Sequence, residues 1–465
     1  MNHDIAPVDA PTGWRRHVTS PSLPEVHGSV AVPVTSSFWR KMAAFSGPGF
    51  MVAVGYMDPG NWATDLQGGA SYGYTLLSVV LISSLMAVFL QHLALKLGIV
   101  SGRDLAQACR DHYSKPYAIF LWVLCELAIA ACDLAEVIGM AIGLQLLFGI
   151  PLLWGCLITC LDVLLVLYLQ NKGFRYLEAL IMVLIATIAT CFIFELYWAK
   201  PSLVGVMMGF APSPQILRNS DMLYISIGII GATVMPHNLY LHSSIVQTRK
   251  IEQTHEGKRE AIKFATFDST FALVGAMFIN VAILVLAAAA FHGSGHQDVA
   301  QIQDAYKLLS PVLGVGLAGV LFAVALLASG QNSTLTGTLA GQIVMEGFLN
   351  IRLRPWLRRL LTRAVAIVPA VVVIGIYGES KANDLLVATQ VALSMQLGFA
   401  VWPLMRFTSD KLKMGPFVNP LWMKFVGWGL TAVIIVLNAK LALDSVLPAS
   451  FLKVMYTSIG LPSPS

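Results

Sequence analysis

Charge is what this sequence has least of. Asp, Glu, Lys and Arg together make up 12% of the 465 residues, against about 25% in a soluble domain. With 56% of the chain hydrophobic, too little polar surface remains to cover the roughly three soluble domains that its length would otherwise suggest. Soluble enzymes and nucleic-acid-binding proteins are excluded on that ground. Cysteine is also sparse. Cys109, Cys125, Cys132, Cys156, Cys160 and Cys191 lie mostly inside apolar runs and never at a C-x-x-C spacing, so they read as small buried hydrophobes and not as a metal centre. No H-E-x-x-H string stands in the apolar runs, which removes a zinc hydrolase from consideration. Residues 1–40 lack an apolar run followed by a small-residue cleavage site, so they do not read as a signal peptide. Their prolines, serines and scattered charges predict a cytosolic, mostly disordered tail.

Long apolar runs stand in place of charge. Each bilayer crossing takes about 20 apolar residues, and eleven such runs centre near residues 58, 87, 132, 160, 186, 235, 280, 325, 370, 394 and 432. The basic residues test that count. With the N-terminus inside, they collect before span 1 and after each even-numbered span, ending with Arg406, Lys411, Lys413 and Lys424 after span 10. Of the 30, only Lys200, Arg218, Lys307, Lys381, Lys440 and Lys453 fall on the other side. Adding or dropping one span before residue 400 would exchange the sides of everything after it and destroy this segregation, so the positive-inside rule supports eleven crossings. The N-terminus is then cytoplasmic and the C-terminus outside.

Two of the crossings carry matching interruptions. Span 1 reads GYMDPGNWATDLQGG and span 6 reads GIIGATVMPHNLYLH, each with a proline and an asparagine two apart: Pro59 and Asn61, Pro236 and Asn238. Proline removes a backbone donor and clashes with the preceding turn, so both helices are expected to break and leave carbonyls free. Such carbonyls need a partner inside a membrane. One kinked helix would be ordinary, but matched breaks in spans 1 and 6 imply a five-span unit used twice, and an odd unit forces the copies to be inverted. Asp58 adds a carboxylate near the bilayer centre, where an acid costs about 2.5–3.5 kcal/mol and serves an ion or proton path. The breaks offer the Asp58 carboxylate, the Asn61 amide oxygen, the Met235 thioether and backbone carbonyls near Gly55 and Ala232. Oxygen alone suits Mg²⁺, Ca²⁺ or Mn²⁺, while sulfur favours softer transition ions, so Met235 is expected to act as a filter.

Ionisable groups inside the other spans point to protons as the driving ion. Glu126, Asp133 and Glu136 of span 3 are spaced seven and three residues apart, on roughly one helical face. They could relay protons or form structural ion pairs with Arg249 at the end of span 6; a carboxylate paired with arginine is also a proton site. His237 follows Pro236 directly in the middle of a crossing, and its ring could bind metal or carry a proton.

The DPGN of span 1, the MPHN of span 6 and the stretch GQNSTLTGTLAGQIVMEGF from Gly330 to Phe348 resemble the Nramp family of proton-coupled divalent-metal transporters, with bacterial manganese transport proteins the nearest look. The resemblance runs from about residue 40 onward. It implies an all-α integral membrane protein with a fold similar to bacterial leucine transporters. Residues 1–40 would be the tail, 41–200 the first inverted repeat (helices 1–5), 201–410 the second (helices 6–10), and 411–465 helix 11 and a short end. It further implies metal ligands at Asp58, Asn61 and Met235 with a carbonyl from Ala232. Gly55 stands where members commonly have alanine, and Gln390 matches a polar position used near the metal. His237 would serve proton movement, with Asp133, Glu136 and Arg249 as the exit. The implied cargo is Mn²⁺ or Fe²⁺ with protons, imported through a bacterial inner membrane, with no cofactor, no nucleic acid and no obligate protein partner. The rival readings are an Nramp-like carrier for Mg²⁺ or a trivalent ion, which Met235 opposes; a sodium-coupled organic-solute carrier, whose carboxylate substrate Asp58 would repel; and a passive metal pore, which uphill accumulation would separate.

Overall fold

A computed structural model describes residues 13–16, 20–33, 37–161, 174–295, 301–351, 355–379 and 381–446. The first half of the chain contributes α1 (Phe38–Phe45), α2 (Pro48–Val54), α3 (Pro59–Tyr72), α4 (Leu77–Ser101), α5 (Leu105–His112), α6 (Lys115–Phe148), α7 (Leu152–Ile158) and α8 (Phe174–Ala199). The second half contributes α9 (Ser220–Thr233), α10 (Pro236–Ile245), α11 (His255–Ala290), α12 (Ala318–Leu349), α13 (Pro355–Tyr377), α14 (Lys381–Thr408) and α15 (Leu421–Val446). Among the described residues, eight helical stretches are long and apolar enough to cross a bilayer, and three shorter apolar ones are Pro48–Met57, Leu152–Leu161 and Ala364–Ile376. The crossing expected near residue 160 continues into 162–173, outside the described residues.

Large apolar side chains left in the open identify the lipid face. Phe271 and Phe278 of α11, seven residues apart on one face, are 73% and 63% exposed, a placement that water would penalise and a bilayer rewards. Inward, the broken span 1 lies against α11, and α6 packs along α12. Trp62, fully buried, fills the space between Phe192 and Phe322, with ring centroids 5.0 and 5.1 Å away.

Both expected breaks are present, and neither is a simple kink. After α2 and a short 3₁₀ turn over Gly55–Met57, Asp58 adopts an extended backbone (φ −68°, ψ 166°) and its side chain accepts from the Asn61 amide, capping α3. Pro59 is the first residue of α3, where its missing N–H leaves nothing unsatisfied. In span 6, α9 ends at Thr233, Met235 turns the chain (φ −35°, ψ 118°), and Pro236 opens α10. Each proline therefore starts a new helix.

The expectation of a mostly disordered tail does not hold for its described part. Leu23 is 1% exposed, Gly28 N donates to Gln247 O at 3.0 Å, and a two-residue strand, β1 (Val30–Ala31), pairs in parallel with β2 (Arg249–Lys250). Polar composition suggested a solvated segment, but Trp14, Leu23 and Val26 give it an apolar side that packs against the helices.

Candidate metal site

The two breaks meet. Asn61 Nδ2 donates to Asp58 Oδ1 at 2.8 Å, to Ala232 O at 3.0 Å and more distantly to Gly55 O at 3.4 Å. Three oxygens from both broken helices thus converge on one donor, the arrangement that a small cation would also satisfy. The other Asp58 oxygen, Oδ2, is buried with no hydrogen-bond partner. Met235, fully buried, closes the same space: a Cβ on Gly55 would stand 3.2 Å from its Sδ and would collide with the Asn238 amide. Glycine here leaves that space to the thioether and the amide. Gln390 of α14 is buried against Gly60, whose missing Cβ would strike its amide, and its Oε1 is unpartnered. Its backbone carbonyl meets Gly231 of α9, so this one residue touches both broken helices.

Asp58, Asn61, Gly55, Ala232, Met235 and Gln390 are therefore brought together. Among the described residues no group of three or more His, Cys, Asp or Glu side chains stands together as a metal cage. One carboxylate with neutral oxygens and a thioether is a less charged donor set than such a cage.

The span-3 residues divide. Glu136 is fully buried, accepting from Ser333 Oγ at 2.6 Å and Thr334 Oγ1 at 3.1 Å on α12. Asp133 is buried beside it, over Gly337. Their helix also carries Ala128 and Cys132, which pack with Met235 and Leu393. Glu126, half-buried, accepts from Trp122 Nε1 at 3.1 Å. His237 is buried directly after the break with Nδ1 unpartnered.

Arg249 is not placed as expected. Its guanidinium donates to Glu178 Oε1 at 2.8 Å and to the carbonyls of Ala44 and Ser46 at 3.1 and 2.7 Å. Its carboxylate partner is thus Glu178 of α8, and Arg249, just after α10, is tied both to α8 and to the turn between α1 and α2. Asp268 of α11 adds to this closure, accepting from Gly49 N at 2.7 Å and Gly47 N at 3.3 Å. Sequence reading missed Glu178, Asp268 and Asn280, whose amide reaches Asn61 Oδ1 at 3.3 Å. The available signal was a lone polar residue inside an apolar run, which marks function or pairing without naming the partner. Glu178→Ala strands a guanidinium that is fully buried, and truncating one member of a buried pair costs about 3–5 kcal/mol. Thermal unfolding in detergent should show that loss, and Glu178→Gln, which keeps the acceptor, should show less.

The family model for Natural resistance-associated macrophage protein-like (Nramp) proteins matches residues 49–444. The chain belongs to the Nramp family. This Nramp chain is 62% identical over 425 residues to a protein of Nostoc sp. named divalent metal cation transporter MntH, spanning 91% of the chain and 96% of the relative. The crystal structure of the manganese transporter of Eremococcus coleocola, in complex with an aromatic bis-isothiourea substituted compound, matches with a TM-score of 0.85 at 41% identity over 95% of each chain. Mhp1, a nucleobase-cation-symport-1 family transporter, matches at TM-score 0.58 and 17% identity over 90% of this chain and 94% of its own, which shows the fold alone. The Nramp protein described here is accordingly a multi-pass membrane transporter with the broken-helix architecture, and not an enzyme.

Proposed function

We propose that this Nramp protein imports Mn²⁺, with Fe²⁺ and similar ions as further cargo, coupled to protons by alternating access across a bacterial inner membrane. The N-terminus would be cytoplasmic, the C-terminus outside, and eleven crossings would divide into inverted repeats over 41–200 and 201–410. The observation that carries the reading is the convergence of Asp58, Gly55 and Ala232 oxygens with the Met235 thioether where two membrane helices break. The names of the Nostoc and Eremococcus proteins support the choice of cargo.

A cation among these oxygens displaces the Asn61 NH₂ from them, and a half-turn of that amide presents Oδ1 as a ligand in its place. The turn requires Asn280 to release Oδ1, which couples occupancy of the site to the α3–α11 contact. Asp58 would give up or share its proton as the dication arrives, with Asp133, Glu136 and His237 as the groups that move it. Arg249 would act later, because its Glu178 pair and its hold on Ala44 and Ser46 must loosen before the inner ends of spans 1 and 6 separate. The testing experiment follows Mn²⁺ and internal pH together in proteoliposomes. Uphill Mn²⁺ accumulation with simultaneous acidification of the lumen is expected, whereas equilibration without acidification would mean a pore.

A further inference from the structure

Asp65 has no place in the site just described, yet it lies 1% exposed in α3 with both carboxylate oxygens buried and without a hydrogen-bond partner. Such a residue in a membrane helix is costly unless a cation or proton uses it. Asp65 and Tyr72 of α3 are seven residues apart, so they share a helical face about 10 Å apart, and Asp58 caps the other end of the same helix seven residues before Asp65. Tyr72 lines a cavity of about 360 Å³ with Gly73, Tyr74 and His292, at the end of α3 away from Arg249 and β1. The same face is held against α11 on either side of Asp65: Asn61 meets Asn280, and Gly69 abuts the Leu284 carbonyl so closely that a Cβ would collide.

We propose that Asp65 is the relay for the incoming divalent cation, holding it midway between the outer cavity and Asp58. The proposal rests on the transport reading above. Proteoliposome uptake of Mn²⁺ by Asp65→Asn should show KM raised about tenfold with kcat within about twofold, the split expected when binding on entry is lost and translocation kept. Asp65→Glu should restore KM, and the preference for Mn²⁺ over Ca²⁺, set by Met235, should not move. A role in folding alone would lower the amount of inserted protein and leave KM unchanged. A KM within twofold of the parent in Asp65→Asn, or in Asp65→Ser should the amide variant fail to insert, overturns the assignment. Absence of uptake by the parent would instead overturn the transport reading.

The N-terminal segment carries a second inference on separate observations. Trp14 is held between Arg103 and Lys413, 4.7 and 5.2 Å from its ring, and against Phe407. Ser20 O accepts from Gln107, Glu25 accepts from Gln342, the Ser22 hydroxyl bonds that of Ser244, and β1 extends onto β2. One strand of chain thereby fastens α5, α10, α12 and α14 together at the end where Arg249 closes spans 1 and 6. We infer that this strap is a latch on the inner face, released each time the site opens inward. In Ser22→Cys/Ser244→Cys protein, oxidation should stop Mn²⁺ uptake and reduction restore it, with each single variant indifferent to both. Fully cross-linked protein transporting at the reduced rate overturns the latch. If the cysteines do not join, removal of residues 1–33 decides: a raised kcat supports the latch and an unchanged kcat overturns it.

Discussion

Asp58→Asn is expected to reduce Mn²⁺ uptake in reconstituted vesicles to the level of protein-free liposomes. The substitution is nearly isosteric, and asparagine caps a helix N-terminus about as well as aspartate, so α3 still begins at residue 59 and the broken geometry survives. What disappears is the one negative charge among the oxygens gathered around Asn61. A dication leaving water for a site with the low dielectric of a protein interior needs that charge, because carbonyl and amide dipoles alone do not repay its desolvation. Removing a buried, half-satisfied carboxylate also leaves the fold no less stable, so a melting curve like that of the parent is expected beside the lost uptake. Normal Mn²⁺ transport by this variant would remove Asp58 from the site.

Met235→Ala produces a different loss. The hard ligands remain, so Mn²⁺ still crosses, but its advantage over Ca²⁺ or Mg²⁺ should fall about tenfold or more, equivalent to about 1.4 kcal/mol of differential binding. The side chain is also packed among Ala128, Cys132 and Leu393, and its truncation costs about 2–5 kcal/mol of stability through the cavity left behind. Met235→Leu separates the two effects, because it keeps the volume and removes the sulfur. Equal loss of discrimination in both variants, measured as competition of Ca²⁺ with Mn²⁺ uptake, is the expected result. Unchanged discrimination in the leucine variant would assign Met235 to packing alone.

The broken helices were legible because proline acts locally: Pro59 and Pro236 must interrupt or begin a helix whatever surrounds them. Asp58, Asn61 and Met235 could be placed near one another from the sequence because the two interruptions match and the repeat brings them to one depth. Arg249 shows where such reading stops. Its basic character and position at the end of span 6 were evident, but its partner, Glu178, is 71 residues away in sequence, and no periodicity within either helix predicts which pair will meet. Asn280 and Asp268 escaped for the same reason, since each acts on span 1 from α11. The tail misled in the opposite direction. Its composition is that of a solvated segment, but a few apolar side chains at Trp14, Leu23 and Val26 dock it, and Gln107, Gln247 and Gln342 supply hydrogen bonds.

One cation is expected where span 1 breaks between α2 and α3 and span 6 between α9 and α10, bounded by carboxylate, amide and thioether. A crystal grown with Mn²⁺ and measured at a wavelength where manganese scatters anomalously locates that ion directly. A single anomalous peak within coordination distance of Asp58, Asn61, Met235 and the Ala232 carbonyl, with the Asn61 oxygen turned toward it, is the predicted result. A peak elsewhere in the membrane region, with Asn61 Nδ2 still bonded to Asp58 and Ala232, would contradict the account.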